Sequence, residues 1–210
     1  MKLKIITNKP VAVDSYDHIK PHGTMQDNTS NNLFVKAVIQ KLNGIVKYAD
    51  LGCAGGWFAR AFHAEKHLSV GVEGSDYSLI NKRAEWGVVP DILFTADITE
   101  PFQFVVEDTN ERVRFNIMSA FDVLEHIPED KLPGLFNNLK LNLEPNGYFI
   151  CSIANFGDMD GGKYHVTLKS EDWWLEKFKE YGFVREEFLD DGEYGRRSSY
   201  NITLINTNAS

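Results

Sequence analysis

The sequence predicts an α/β fold, a doubly wound and mostly parallel sheet, and three observations carry that prediction. Strand-like and helix-like patterns alternate along most of the chain. A glycine turn, Gly52 to Gly56, joins a short buried apolar run to a helix. An acid, Glu73, closes the next strand 21 residues after Gly52.

Taken in order, residues 1–30 read as an N-terminal loop or lid segment. The stretch 10–32 is rich in Asp, Asn, His, Pro and Gly and holds neither the helical nor the strand period. His18, His22 and Met25 lie within it and are placed to fold over a site. From residue 31, Leu33, Phe34, Ala37, Val38 and Leu42 recur at helical spacing and stop at Gly44.

Residues 45–51 then form a strand, 57–66 a helix, 68–73 a second strand, 76–86 a helix and 91–97 a third strand. Such a β-α-β rhythm requires parallel strands. Residues 102–114 alternate and turn through Asp108-Thr109-Asn110, a small hairpin or edge excursion. The rhythm resumes with strand 115–121, helix 128–143 and, after Glu144-Pro145-Asn146-Gly147, strand 148–153. Helix 170–181 has Ser170 as N-cap, Glu171 and Asp172 in its first turn, and Gly182 at its end. Strands 183–189 and 200–206 close the chain. The connection 190–199 is too short for a crossover helix, so these two pair antiparallel.

With 210 residues, 43% of them hydrophobic, the chain can bury one core, and we read 1–210 as a single domain. A net charge of −8 argues against a broad nucleic-acid footprint. The pair Arg196-Arg197 reads as a solvated turn. Residues 1–6 are too short an apolar run for a signal peptide, and no stretch approaches a membrane span, so the expected location is the cytoplasm. Cys53 and Cys151 lack metal-site spacing and suit a reducing compartment.

A glycine turn between strand and helix lets backbone approach a ligand where a Cβ would collide, and Gly52, Gly55 and Gly56 meet that need. Glu73, at the adjacent strand end, can accept hydrogen bonds from both hydroxyls of a ribose. A dinucleotide fingerprint would need Gly at 54 and a small residue at 57; the sequence has Ala54 and Trp57.

The segment Tyr48-Ala49-Asp50-Leu51-Gly52-Cys53-Ala54-Gly55-Gly56-Trp57-Phe58 resembles the first motif of the class I S-adenosylmethionine-dependent methyltransferases. Similar positions follow in Val72-Glu73-Gly74-Ser75, Ala96-Asp97-Ile98, Phe121-Asp122-Val123-Leu124-Glu125-His126-Ile127 and Leu143-Glu144-Pro145-Asn146-Gly147-Tyr148-Phe149. The likeness spans about residues 45–206, and Ala54 departs from a common glycine. It implies a seven-stranded sheet whose last strand inserts antiparallel between two parallel ones. It also implies S-adenosylmethionine as cofactor, leaving as S-adenosylhomocysteine. Asp50 and Gly52 would serve the methionine end, Glu73 the ribose, and Asp97 with Ile98 the adenine. Further contacts implied are Cys53, Ala54, Gly55 and Trp57 in the loop, Gly74 beside Glu73, and Phe121 with Asp122 after the fourth strand.

Three readings of residues 122–126 stand side by side. Glu125 and His126 line a helix start and do no chemistry; or His126 is a general base; or Asp122, Glu125 and His126 hold a divalent metal, since D-x-x-E-H resembles a metal-supporting motif of some methyltransferases. His165, in a glycine-rich loop after the fifth strand, is the second catalytic candidate. His63 and His67 read as solvated, and Trp173-Trp174 as one inward and one border aromatic. The acceptor is read as an oxygen or nitrogen of a small molecule, with a sugar or glycan precursor as one candidate. The oligomeric state is not legible. A noncatalytic cofactor-binding subunit and a nicotinamide-dependent oxidoreductase are the alternatives.

Overall fold

The computed structural model describes residues 1–158, 161–189 and 199–208; Arg196 and Arg197 lie outside the described residues. The chain opens with strand β1 (Leu3–Thr7) and two short helices, α1 (Tyr16–Ile19) and α2 (His22–Gln26). Helix α3 (Asn32–Leu42) follows, capped by the Asn31 side chain, which accepts from the Phe34 amide at 3.0 Å. It ends at Asn43, left-handed at φ 46°, one residue before the glycine that the sequence pointed to.

The alternating segment contains β2 (Lys47–Leu51), α4 (Trp57–Ala64), β3 (Leu68–Glu73), α5 (Tyr77–Ile80) and β4 (Leu93–Thr95). The helix expected over 76–86 is only one turn of α5 followed by a 3-10 turn, Ala84–Gly87. The third strand is correspondingly short, because Pro90 opens a 3-10 turn, Pro90–Ile92, in its place. Strands β5 (Phe102–Val106) and β6 (Arg112–Val113) form the hairpin, and β7 (Phe115–Phe121) returns to the main sheet.

Helix α6 (Leu132–Asn142) leads into β8 (Leu143–Ala154), longer than expected because residues 144–147 stay within the strand. Asn146, at φ 59°, accompanies a register shift between Phe115 and Ile117, so the anticipated turn is a bulge in a continuous strand. Helix α7 (Glu171–Glu180), β9 (Phe183–Arg185) and β10 (Ser199–Asn206) complete the chain.

Seven strands make one sheet in the order β4-β3-β2-β7-β8-β10-β9. All neighbours pair parallel except β10, which lies antiparallel between β8 and β9. The period-2 alternation of strands sends Tyr48, Ile117 and Ile150 to one face, where Phe34, Val38, Phe58 and Phe62 of α3 and α4 cover them. Ala49, Met118, Phe149 and Cys151 face the other way, onto Leu135, Phe136, Trp174 and Phe178 of α6 and α7. The double winding is thereby satisfied by two separate apolar layers.

Strand β1 had no counterpart in the sequence reading. It pairs antiparallel with β5, so β1, β5 and β6 form a second, three-stranded sheet. Its consequence is positional: β1 fixes where residues 8–28 start, and these run across the carboxyl ends of β2, β3 and β4. The Ala12 amide donates to the Gly74 carbonyl and the Asp97 amide to the Lys9 carbonyl, both at 2.9 Å. Trp174 is inward, whereas Trp173 sits at the border beneath Lys169 and Lys177. His67 is not solvated on a helix; its Nδ1 accepts from the Val46 amide at 3.2 Å.

Candidate active site

The carboxyl ends of β2, β3, β4 and β7 surround a cavity of about 190 Å³, whose opposite wall is the N-terminal segment from Ala12 to Asp27. Open parallel sheets place their crevices at such strand ends. Gly52, Ala54, Glu73, Gly74, Asp97, Ile98, Phe121 and Asp122 all line it. Asp50 and Cys53 line a smaller adjoining recess that shares Asp27, Gly52, Ala54 and Phe121 with it.

The loop after β2 is held rigidly. Its Gly52 and Cys53 amides both donate to the Val72 carbonyl, at 2.8 and 3.0 Å, and Trp86 Nε1 donates to the Ala54 carbonyl at 2.8 Å. Gly52 is left-handed at φ 70°, and a Cβ there would come within 2.5 Å of Val123. Ala54, at φ 44°, is left-handed as well, so it carries backbone strain that glycine would not. Gly55 is packed under Asn28, whose Oδ1 also accepts from the Trp57 amide at 3.1 Å.

Glu73 is buried, yet its carboxylate faces the cavity. It accepts from the Ala54 amide at 2.7 Å, the Ser75 amide at 3.2 Å and the Thr24 hydroxyl at 3.0 Å. Burial raises its pKa, and those donors hold the rise in check. A hydroxyl from the cavity side therefore already donates to this carboxylate, the bonding a ribose hydroxyl would need. Asp97 accepts from the Thr99 amide and hydroxyl at 3.0 and 2.6 Å and lies 3.6 Å from Lys9 Nζ.

Asp50 is buried in the floor. Ser119 donates to it at 2.6 Å, and the Tyr48 hydroxyl meets Ser119 at 2.5 Å. Desolvation pushes the Asp50 pKa up to about 7 against those hydrogen bonds.

The sequence matches the family model described as Methyltransferase domain over residues 26–190. The fold is similar to that of 1,6-didemethyltoxoflavin-N1-methyltransferase from Burkholderia thailandensis, solved with its 1,6-didemethyltoxoflavin and S-adenosylhomocysteine. The TM-score is 0.60 at 15% identity, covering 91% of this chain and 84% of that one. It is also similar to magnesium protoporphyrin IX methyltransferase from Synechocystis, solved with S-adenosylhomocysteine, at TM-score 0.57 and 13% identity over 90% and 96% of the two chains. A TehB-like methyltransferase from Corynebacterium glutamicum matches at TM-score 0.58 and 13% identity, over 94% and 98%. A search of curated protein sequences returns no significant match.

The chain is a class I S-adenosylmethionine-dependent methyltransferase.

Within this methyltransferase, Trp57 does not reach the cavity. It opens α4 and faces an outer groove with Asn32, Lys36 and Arg60, so its bulk is no obstacle to a ligand. Cys53 packs its sulfur toward Gly71, and burial pushes its thiol pKa well up, so it contributes a wall rather than a polar contact.

The loop after β7 departs from the sequence reading in a second way. Asp122 is left-handed at φ 53° and turns its carboxylate toward β8 and β10, accepting from Ser152 Oγ at 2.7 Å and Ser199 Oγ at 3.0 Å. It is therefore not gathered with Glu125 and His126. The third member of that group is His165, whose ring centroid lies 4.9 Å from that of His126. His126 lines the cavity; His165 stands behind it.

His126 Nδ1 lies 2.7 Å from Asp17 Oδ2 on α1. Burial pushes the imidazole pKa down, but Asp17, Glu125 and Asp122 outweigh it and hold it above its ordinary value. Sequence reasoning missed Asp17, Thr24, Asn28, Trp86 and Lys9. Only the N-terminal segment's wealth of polar residues hinted at the first three, and nothing local marked the others.

Proposed function

We propose that this methyltransferase moves a methyl group from S-adenosylmethionine to an oxygen or nitrogen of a small molecule, with Glu73 and the Gly52–Gly56 loop holding the cofactor and His126 receiving the acceptor's proton. The observation that carries the reading is that one cavity has residues for both halves of the task on its walls: Glu73, Ala54 and Asp97 for the cofactor, and the paired His126 and Asp17 for the acceptor.

When bound, the cofactor supplies a sulfonium whose methyl is already electrophilic. The chain's residues then have two tasks. The first is alignment, which alone can supply several kcal/mol of the barrier. Glu73 would accept the ribose hydroxyls, Asp97 and Ile98 would flank the adenine, and Asp50, in the adjoining recess, would serve the methionine end. The second is proton removal. Asp17 stands 2.7 Å from the His126 ring as its paired charge, and the imidazole would take the proton from a hydroxyl, or from an amine nitrogen as it gains the methyl.

The acidic chain and the cavity's polar wall of Asp14, Asp17 and His18 favour a neutral or cationic metabolite over a polyanion. A sugar or glycan precursor belongs to that class through its hydroxyls. Two of the structural neighbours are named for methyl transfer to 1,6-didemethyltoxoflavin and to magnesium protoporphyrin IX, both small molecules. Two buried free thiols suit work in a reducing compartment such as the cytoplasm, and one domain carries the whole reaction.

The test is S-adenosylhomocysteine release from S-adenosylmethionine with pools of hydroxyl- and amine-bearing metabolites. We expect acceptor-dependent release that His126→Ala lowers by about 100-fold with cofactor binding retained. Cofactor binding with no transfer to any pool would replace this reading with a noncatalytic subunit.

A further inference from the structure

Beyond methyl transfer, we propose that Glu125, His126 and His165 form a binding site for one divalent transition-metal ion. A ligand atom from each of the three lies within 4.8 Å of the other two. Ligands on zinc at about 2.0–2.2 Å stand about 3.3 Å apart, so small side-chain movements close the set.

The independent observation is the state of Glu125. Its side chain is fully buried, and the backbone amides of Glu125 and Ala154 approach its carboxylate without hydrogen-bond geometry, so neither oxygen has a well-formed partner among the described residues. A buried, unsatisfied carboxylate is costly unless a cation or proton compensates it. The backbone supports the position: the Val166 and Thr167 amides both donate to the Glu125 carbonyl, at 2.8 and 3.0 Å, tying the His165 loop to the loop after β7.

One imidazole is already arranged as a metal ligand is: His165 Nδ1 lies 2.6 Å from the Phe156 carbonyl, an arrangement that fixes the tautomer and leaves the other lone pair for the ion. The second, His126, has its Nδ1 2.7 Å from Asp17 Oδ2 as an ion pair without hydrogen-bond geometry, so its ring is free to turn toward an ion. Asp122 is not part of the site, since Ser152 and Ser199 hold its carboxylate.

Two imidazoles and one carboxylate suit zinc, cobalt or manganese better than magnesium, which prefers oxygen ligands. Three protein ligands leave coordination positions open, and His126 places them on the cavity side. Loading the ion takes His126 out of proton transfer, so His126 acts as a base only in the metal-free protein. The site does not depend on the acceptor or on methyl transfer itself.

The test titrates chelator-treated full-length protein with zinc, cobalt and magnesium chlorides by calorimetry, with visible absorption for cobalt. We expect about one zinc or cobalt ion per chain, a cobalt d–d band, and no comparable magnesium binding. Glu125→Gln and His165→Ala should each weaken zinc more than tenfold, while Asp122→Asn retains it. Circular dichroism checks folding, and His165→Ala, in a half-exposed loop, carries the test alone if Glu125→Gln fails to fold. No zinc or cobalt binding by the wild type, or binding that survives both substitutions, overturns the site. Binding of S-adenosylhomocysteine, measured separately, shows whether the cofactor reading stands regardless.

Discussion

Asp17 Oδ2 and His126 Nδ1 stand 2.7 Å apart, which ties the N-terminal segment to the loop after β7 across the mouth of the cavity. Burial pulls the His126 pKa down, and this contact is the largest of the contributions, with Glu125 and Asp122, that hold it above its ordinary value. A base works in its neutral form, so in metal-free protein the acidic limb of the kcat profile should follow that pKa. Asp17→Asn removes one contribution that raises it. The limb should move to lower pH and the maximal rate fall about tenfold to 100-fold. A profile unchanged in position would remove the dyad from the mechanism.

Burial raises the pKa of Asp50, to about 7, and of Glu73, so the protein without ligand should lose stability as the medium becomes alkaline. The sign follows from linkage: between about pH 4 and 7 the unfolded Asp50 has released its proton while the folded one keeps it. Stability present below pH 4 is therefore lost as pH rises toward 7, by an amount on the order of 4 kcal/mol at most for Asp50. Thermal denaturation at pH 5 and pH 8 should show a lower Tm at pH 8, and Asp50→Asn should narrow the difference. An equal or larger difference in the variant would contradict the assignment.

Ala54 sits left-handed at φ 44° in the cofactor loop. Glycine adopts that conformation without the Cβ penalty, at some entropic cost to folding. Ala54→Gly should raise stability by about 0.5–1 kcal/mol, which calorimetry would register as a Tm increase of about 1–4 °C. A lower Tm would show that the alanine methyl packs favourably enough to outweigh its strain.

Trp86 fastens the same loop from outside by donating to the Ala54 carbonyl at 2.8 Å. Trp86→Phe keeps most of the buried ring and removes the donor. Stability should fall by about 1–3 kcal/mol, since the loss combines a hydrogen bond with a smaller ring in a packed site. S-adenosylhomocysteine affinity should drop severalfold. Wild-type affinity in the variant would mean that the loop geometry does not need this support.

Much of the fold was legible because its signals are local. Apolar runs of strand length separated by helical periods announce a parallel sheet, and residues such as Gly52 and Glu73 mark strand ends by type and spacing alone. Elements that depend on distant partners were not legible. Leu3–Thr7 is a strand because β5 pairs with it, and nothing within five residues states that. Residues 144–147 have turn chemistry, yet their alignment beside β7 absorbs them as a bulge.

The site divides the same way. Asp50, Glu73 and Asp97 stand where their motifs put them, whereas Trp57 belongs to the right segment but to the wrong face of its helix. Asp122 is adjacent in sequence to Glu125 and His126, and its left-handed backbone turns it toward Ser152 and Ser199 instead. His165 takes that place from 39 residues beyond His126, a proximity created only by folding.

The most direct measurement is calorimetric titration of the wild type and Glu73→Ala with S-adenosylmethionine and S-adenosylhomocysteine. Wild-type protein should bind both at micromolar affinity and the variant at least 100-fold more weakly, with folding of the variant checked by circular dichroism. Absence of wild-type binding, or equal affinity in a folded Glu73→Ala protein, would contradict the assignment of this cavity to the cofactor.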